Sequence, residues 1–134
     1  MDVVLSGHSH TYQRTRPLRF APTSDAGAKQ VNSGHRLVPG RFTVDRTFDG
    51  KTATRPDGIV YITTGAGGNS LYDPQSNDSP KDWLHPEDNN AEYIARFICD
   101  RHSLTVFDME PNALTLTQVD EWGREVDRCH ITKA

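Results

Sequence analysis

Apolar and polar positions alternate in different ways along this chain, and the changes mark its parts. Val3-Val4-Leu5 is a continuous apolar run closed by Ser6-Gly7. Such runs suit a strand covered on both faces, as in a parallel sheet lying between other layers. Residues 15–57 hold no sustained period: Pro17, Pro22, Pro39 and Pro56, with Gly27, Gly34, Gly40 and Gly50, interrupt them repeatedly. Only Arg41–Phe48 offers a short, solvent-facing strand there. Ile59–Thr64, rich in β-branched and aromatic residues, predicts a further strand, and Gly65, Gly67 and Gly68 turn the chain sharply after it. Residues 70–91 are irregular again. From Glu92 onward four alternating runs, "EYIARFICD", "LTVFDM", "LTLTQVD" and "EVDRCHI", are separated by short turns. They predict an antiparallel β-meander. No segment carries the 3.6-residue period over three turns, and no internal repeat is visible.

Composition adds limits. At 134 residues the chain is one domain's worth. Its apolar share of 34% is low even with the ten glycines added, and mean hydropathy is -0.69; a thin core is expected. A net charge of -3, with acids and bases mixed along the length, argues against a nucleic-acid-binding surface. No apolar run approaches the roughly 18 residues a membrane helix needs. Met1-Asp2 runs straight into the first apolar segment, so no signal peptide is visible. Cys99 and Cys129 lie in alternating segments without metal-ligand spacing, which leaves two buried thiols or one bridge between strands.

The candidate chemistry sits at the end of the first run, in "VVLSGHSHTYQR", residues 3–14. On extended backbone, side chains two apart point the same way, so His8 and His10 are expected to converge, with Cβ atoms roughly 6–7 Å apart. That suits two ligands on one metal, or one ligand on each of two metals about 3.5–4 Å apart. Two imidazoles do not complete a site, since a catalytic zinc takes about three protein ligands plus water. Of the other histidines, His102 and His130 fall at positions suited to surface roles. His35 and His85 fall in irregular segments and stay open as ligands or substrate contacts. No carboxylate shows ligand-like spacing to the pair.

"DVVLSGHSHTYQRT" resembles the last metal-binding motif of calcineurin-like metallophosphoesterases, and most nearly that of the purple acid phosphatase branch. The motif there is a strand followed by G-H-x-H-x-Y-x-R, here Gly7, His8, His10, Tyr12 and Arg14, with Gln13 where the branch usually has Glu. "GIVYITTGAGGN" looks like the branch's next strand and Gly-Gly-Asn turn. The closing runs through "EVDRCHI" resemble its C-terminal segment, so the likeness covers nearly the whole chain in order. What it implies is the C-terminal part of an α/β metallophosphoesterase sandwich, mainly β as it stands, ending in the antiparallel meander. Residues 1–16 would be the last metal-ligand motif, 17–57 a long loop, 58–69 a strand and Gly-rich turn, 70–91 a loop and 92–134 the meander.

The resemblance also implies a binuclear centre of Fe, Zn or Mn hydrolysing a phosphoester substrate, with His8 on one ion and His10 on the other. The branch's other ligands, in D-x-H, G-D-x-x-Y and G-N-H-[DE] motifs, lie upstream and have no counterpart here. A missing N-terminal part of the same enzyme, little activity in this chain alone, and a secreted or periplasmic setting follow as expectations. Tyr12 and Arg14 are expected to support the His loop or touch substrate, and Asn69 to close a structural turn or face the cleft. Arg16 and Arg19 suit a solvated loop face or an anionic substrate. Trp83 and the acidic Asp78, Asp82, Glu87 and Asp88 suit loop cover and solubility. The competing reading is a stand-alone β-rich accessory or binding module that keeps His-x-His for structure alone.

Overall fold

The computed structural model describes residues 3–22, 29–31, 35–37, 40–72 and 91–133. The described chain is mainly β. Its strands are β1 (Val3–Ser6), β2 (Tyr12–Thr15), β3 (Leu18–Pro22), β4 (Lys29–Val31), β5 (His35–Leu37), β6 (Gly40–Val44), β7 (Val60–Thr64), β8 (Ile94–Ile98), β9 (Ser103–Glu110), β10 (Ala113–Asp120) and β11 (Glu125–Thr132). Among the described residues the one helical piece is a 3-10 turn over Ala91–Tyr93. No described helix is long and apolar enough to cross a membrane.

One sheet has the order β1-β7-β2-β8. β1 runs parallel to β7, with Val3 opposite Val60 and Ser6 opposite Thr63. β2 runs antiparallel to both β7 and β8. The first apolar run was expected to be covered on both faces. It is instead the end strand of this sheet as described, so Val3 and Val4 are partly buried and Leu5 is 52% exposed.

The second sheet is the antiparallel meander β11-β10-β9. It has three strands rather than the four expected, because "IARFI" leaves the series and pairs with β2 as β8. Alternation fixes which side chains face a core but not which strand edge accepts the ladder; here the open edge of β2 takes β8. The interval 17–57 likewise departs from the expected loop. It carries the hairpin β3–β6, with Phe20 opposite Phe42 and their rings 5.0 Å apart, and within it the short hairpin β4–β5. Strands of three to five residues are too short to register as a period.

The two larger sheets share one core. Tyr12, Val60, Ile62 and Ile98 of the first meet Leu116, Cys129 and Ile131 of the second, and Phe48 joins from the segment after β6. At one margin Thr105 Oγ1 donates to Thr64 Oγ1 at 2.7 Å, tying β9 to β7. Cys99 and Cys129 are both buried and are not joined in a disulfide. Burial pushes the Cys129 thiol up to about 11.

Candidate metal centre

The His-x-His loop owes its place to the strand order. β1 and β2 lie on either side of β7, so residues 7–11 must cross over the C-terminal end of β7 to join them. Crossing one strand in so few residues needs tight turning. Ser9 N–H donates to the Gly7 carbonyl at 2.9 Å and Thr11 N–H to the Ser9 carbonyl at 2.8 Å. These are two successive three-residue turns. His8, at the centre of the first, has φ of 71°, the rarer and strained form of that turn. Among the described residues His8 is the one non-glycine with positive φ. Strain of about 1–3 kcal/mol persists where its surroundings enforce it, and such positions cluster at functional sites.

The chain leaving β7 fits under this bridge only through a glycine. Gly65 N–H donates to the Thr11 carbonyl at 3.0 Å, and a Cβ on Gly65 would run into the Ser9 carbonyl oxygen. The next residue is held from the meander side. The Ala66 carbonyl accepts from Ser103 N–H at 3.2 Å and from His102 Nδ1 at 3.1 Å. His102, expected at the surface, is half-buried and serves this turn. His130, also half-buried, is paired with the Thr115 hydroxyl at 2.8 Å within the meander.

The expected geometry of the pair therefore needs correcting. His8 and His10 do not share a face through strand alternation, because residues 7–11 are turn rather than extended chain. Their ring environments differ. The His8 side chain is exposed and makes no hydrogen bond to another described residue. His10 is half-buried and gripped by the segment after the Gly-rich turn. Its Nδ1 lies 2.6 Å from the Ser70 carbonyl oxygen, its Nε2 lies 3.5 Å from Asn69 Nδ2, and its ring stacks on Tyr72 with centroids 5.1 Å apart. A carbonyl oxygen only accepts, so Nδ1 carries a proton, and in the neutral ring Nε2 is the nitrogen with the lone pair.

Tyr12 and Arg14 point away from this loop. They lie two apart on β2, share its inner face, and are 0% and 7% exposed. Both reach Asp127 on β11: Tyr12 Oη donates to Oδ2 at 2.7 Å, Arg14 Nε to Oδ2 at 2.7 Å and Arg14 Nη2 to Oδ1 at 3.0 Å. Burial and the adjacent carboxylate together push the Tyr12 phenol far up. For Arg14 burial works against the charge, but the hydrogen bonds and charge of Asp127 outweigh it and raise its pKa. These two side chains clamp the meander to the strand that leaves the His loop, and their burial keeps them from a ligand on the loop's outer side.

Arg19 forms an exposed ion pair with Asp57 at 3.2 Å. Its strand starts beside Ile59, at the end of β7 remote from the histidines. His35 begins β5. His85, Trp83, Asp78, Asp82, Glu87 and Asp88 lie outside the described residues. Three participants were not anticipated: Asp127, Ser70 and Tyr72. Asp127 was legible, since Asp127, Cys129 and Ile131 share the inner face of β11 by simple alternation. Ser70 acts through its backbone carbonyl, which leaves no mark in the sequence.

No family model, curated protein or solved structure matches this chain. The reading of the site rests on its own chemistry. His10, with Nδ1–H bonded to a carbonyl and Nε2 presented as an acceptor, has the arrangement that orients a metal-ligating imidazole. The exposed His8 ring offers a second nitrogen donor. Among the described residues no group of three or more His, Cys, Asp or Glu side chains is arranged to hold a metal ion. The donors among the described residues fit part of a metal centre and do not complete one.

Proposed function

We propose that this chain is the C-terminal part of a binuclear-metal phosphoesterase similar to the purple acid phosphatase branch, its sheets forming part of that family's α/β sandwich. His8 and His10 would each hold one of two ions, of Fe, Zn or Mn, and the other ligands would come from polypeptide upstream. The chemistry such a centre supplies is Lewis-acid polarisation of a phosphoryl oxygen and activation of water as the nucleophile. The observation that carries the reading is the His10 environment: a fixed Nδ1–H, an acceptor Nε2 and a stacked ring, all on a loop at the C-terminal ends of two parallel strands. Open sheets tend to bind their ligands at such ends. The strained His8 backbone supports it further, because a glycine would serve a purely structural turn better.

In this reading the chain's own residues have separable tasks. His8 and His10 bind, Gly65 lets the loop lie low over β7, and the Tyr12–Arg14–Asp127 clamp holds the loop's outgoing strand. The substrate is a phosphate ester, and the setting is extracytoplasmic by the same resemblance.

Sequencing the coding DNA directly upstream tests the proposal: D-x-H and G-N-H-[DE] motifs are expected in frame. The purified 134-residue chain is expected to hydrolyse an aryl phosphate at no more than a trace rate. Upstream sequence without those motifs, or efficient turnover by this chain alone, would overturn the reading of a partial centre. The first result would favour a stand-alone accessory module.

A further inference from the structure

We propose that the segment Asn69–Tyr72 is a positioning strap that selects the Nδ1–H tautomer of His10 and leaves its Nε2 lone pair facing the Asn69 carboxamide. The proposal rests on the reading of His10 as a ligand for its purpose, but the tautomer it specifies does not depend on any metal.

The strap touches His10 at four places. Its Ser70 carbonyl accepts from Nδ1 at 2.6 Å, and its Asn69 carboxamide faces Nε2 at 3.5 Å. Its Tyr72 ring covers the imidazole with an interplanar angle of 30°, and Tyr72 N–H reaches the His10 carbonyl at 3.5 Å. Which imidazole nitrogen carries the proton is decided by the hydrogen bond the other one makes. Here the short Nδ1 contact goes to an obligate acceptor, so the choice is made by backbone and not by a titrating partner.

The Asn69 side chain is itself oriented. Its Oδ1 accepts from Ser70 N–H at 2.7 Å, and this turns the Nδ2 donor toward His10. A donor opposite Nε2 is compatible with a lone pair there and incompatible with a proton. The long 3.5 Å separation leaves that lone pair only loosely engaged, as an exchangeable position requires. The strap is held at its base, since Gly65 is bonded to Thr11 and Ala66 to Ser103 and His102. Asn69 and Tyr72 thus act through His10 and are positioning residues. Their arrangement matches the rule that the partners behind a metal-ligating imidazole fix its tautomer and ring plane, and that their loss costs about 10–100-fold in metal affinity.

Long-range 1H–15N correlation on the 15N-labelled chain, at mildly alkaline pH and without metal, reads both nitrogens of each imidazole. His10 is expected to show a protonated Nδ1 and an unprotonated Nε2. Tyr72→Phe keeps the stacked ring and should keep that pattern, whereas Tyr72→Ala and Asn69→Ala should mix the tautomers. Asn69→Asp replaces the donor by an acceptor and should draw the proton to Nε2. A protonated Nε2 in the neutral wild-type ring overturns the proposal, as does a wild-type pattern in all three non-conservative variants. The wild-type spectrum decides even if a variant fails to fold. A second arm titrates zinc into wild type and Asn69→Ala, with a roughly tenfold or larger loss expected. A correct tautomer with no zinc binding in wild type would sustain the strap and defeat the metal reading, so the two failures are distinguishable.

Discussion

Arg14 and Asp127 meet across 113 positions of sequence in a two-point ion pair whose side chains are 8% and 9% exposed. The contact joins β2, the strand that leaves the His loop, to β11 at the far side of the meander. Removing the cation strands a buried carboxylate, which typically costs about 3–5 kcal/mol. Arg14→Met should therefore lower the urea midpoint steeply. Tyr12→Phe removes one hydrogen bond to the same charge and should cost less, about 1.5–3 kcal/mol. Equal or negligible losses in the two variants would contradict the clamp.

His8 carries strain that glycine would not. With φ at 71°, an L side chain pays roughly 1–2 kcal/mol in left-handed backbone, partly offset by glycine's greater freedom when unfolded. His8→Gly should thus stabilise the fold by about 1 kcal/mol while weakening metal binding. A variant that is both less stable and undiminished in metal binding would show that the histidine is there for structure.

Gly65 is the point where a side chain has no room. A methyl group there runs into the Ser9 carbonyl oxygen, so Gly65→Ala must lift the loop carrying His8 and His10. We expect destabilisation of about 1–3 kcal/mol, together with amide shift changes concentrated at Ser9, His10 and Thr11. Shifts spread evenly over the sheets would show that the close approach is not where the change is felt.

Acid should loosen the segment that follows β6. Burial would raise the Asp45 carboxyl, but hydrogen bonds from the Thr47 hydroxyl and from the backbone N–H groups of Asp57, Thr47 and Phe48 outweigh it and hold it at about 2. A carboxyl depressed on folding contributes stability that is present above its unfolded value of 3.8 and lost as pH falls toward about 2. The stability difference between wild type and Asp45→Asn should therefore shrink as pH falls through that window and stay constant above it. A difference independent of pH there would remove the carboxylate from the account.

Much of this arrangement could be read from the residues, and the rest could not for identifiable reasons. The β-branched and aromatic composition of Ile59–Thr64 located β7, and period-two alternation from Glu92 onward located β8 to β11. It could not say that β8 would leave the meander, since strand partners are chosen by open edges elsewhere. Of the hairpin strands between Leu18 and Val44 only β6 was marked, by the expected strand over Arg41–Phe48, because three to five residues seldom make a pattern. At the candidate site, Gly-His-x-His singled out the loop, but extended geometry was assumed where two tight turns stand. Crossing over β7 demands those turns, and nothing in residues 7–11 alone announces which strand they must cross. The strap on His10 was half legible: Asn69 was singled out, while the Ser70 carbonyl belongs to a backbone that any residue would supply.

The most direct test of the central claim is a cobalt(II) titration of the 134-residue chain, followed by visible absorption, in wild type, His8→Ala and His10→Ala. Two imidazoles without further ligands should give weak binding in wild type that is lost in His10→Ala and reduced in His8→Ala. Absence of binding in wild type, or binding that survives both substitutions unchanged, would contradict the claim that these histidines form this chain's share of a metal centre.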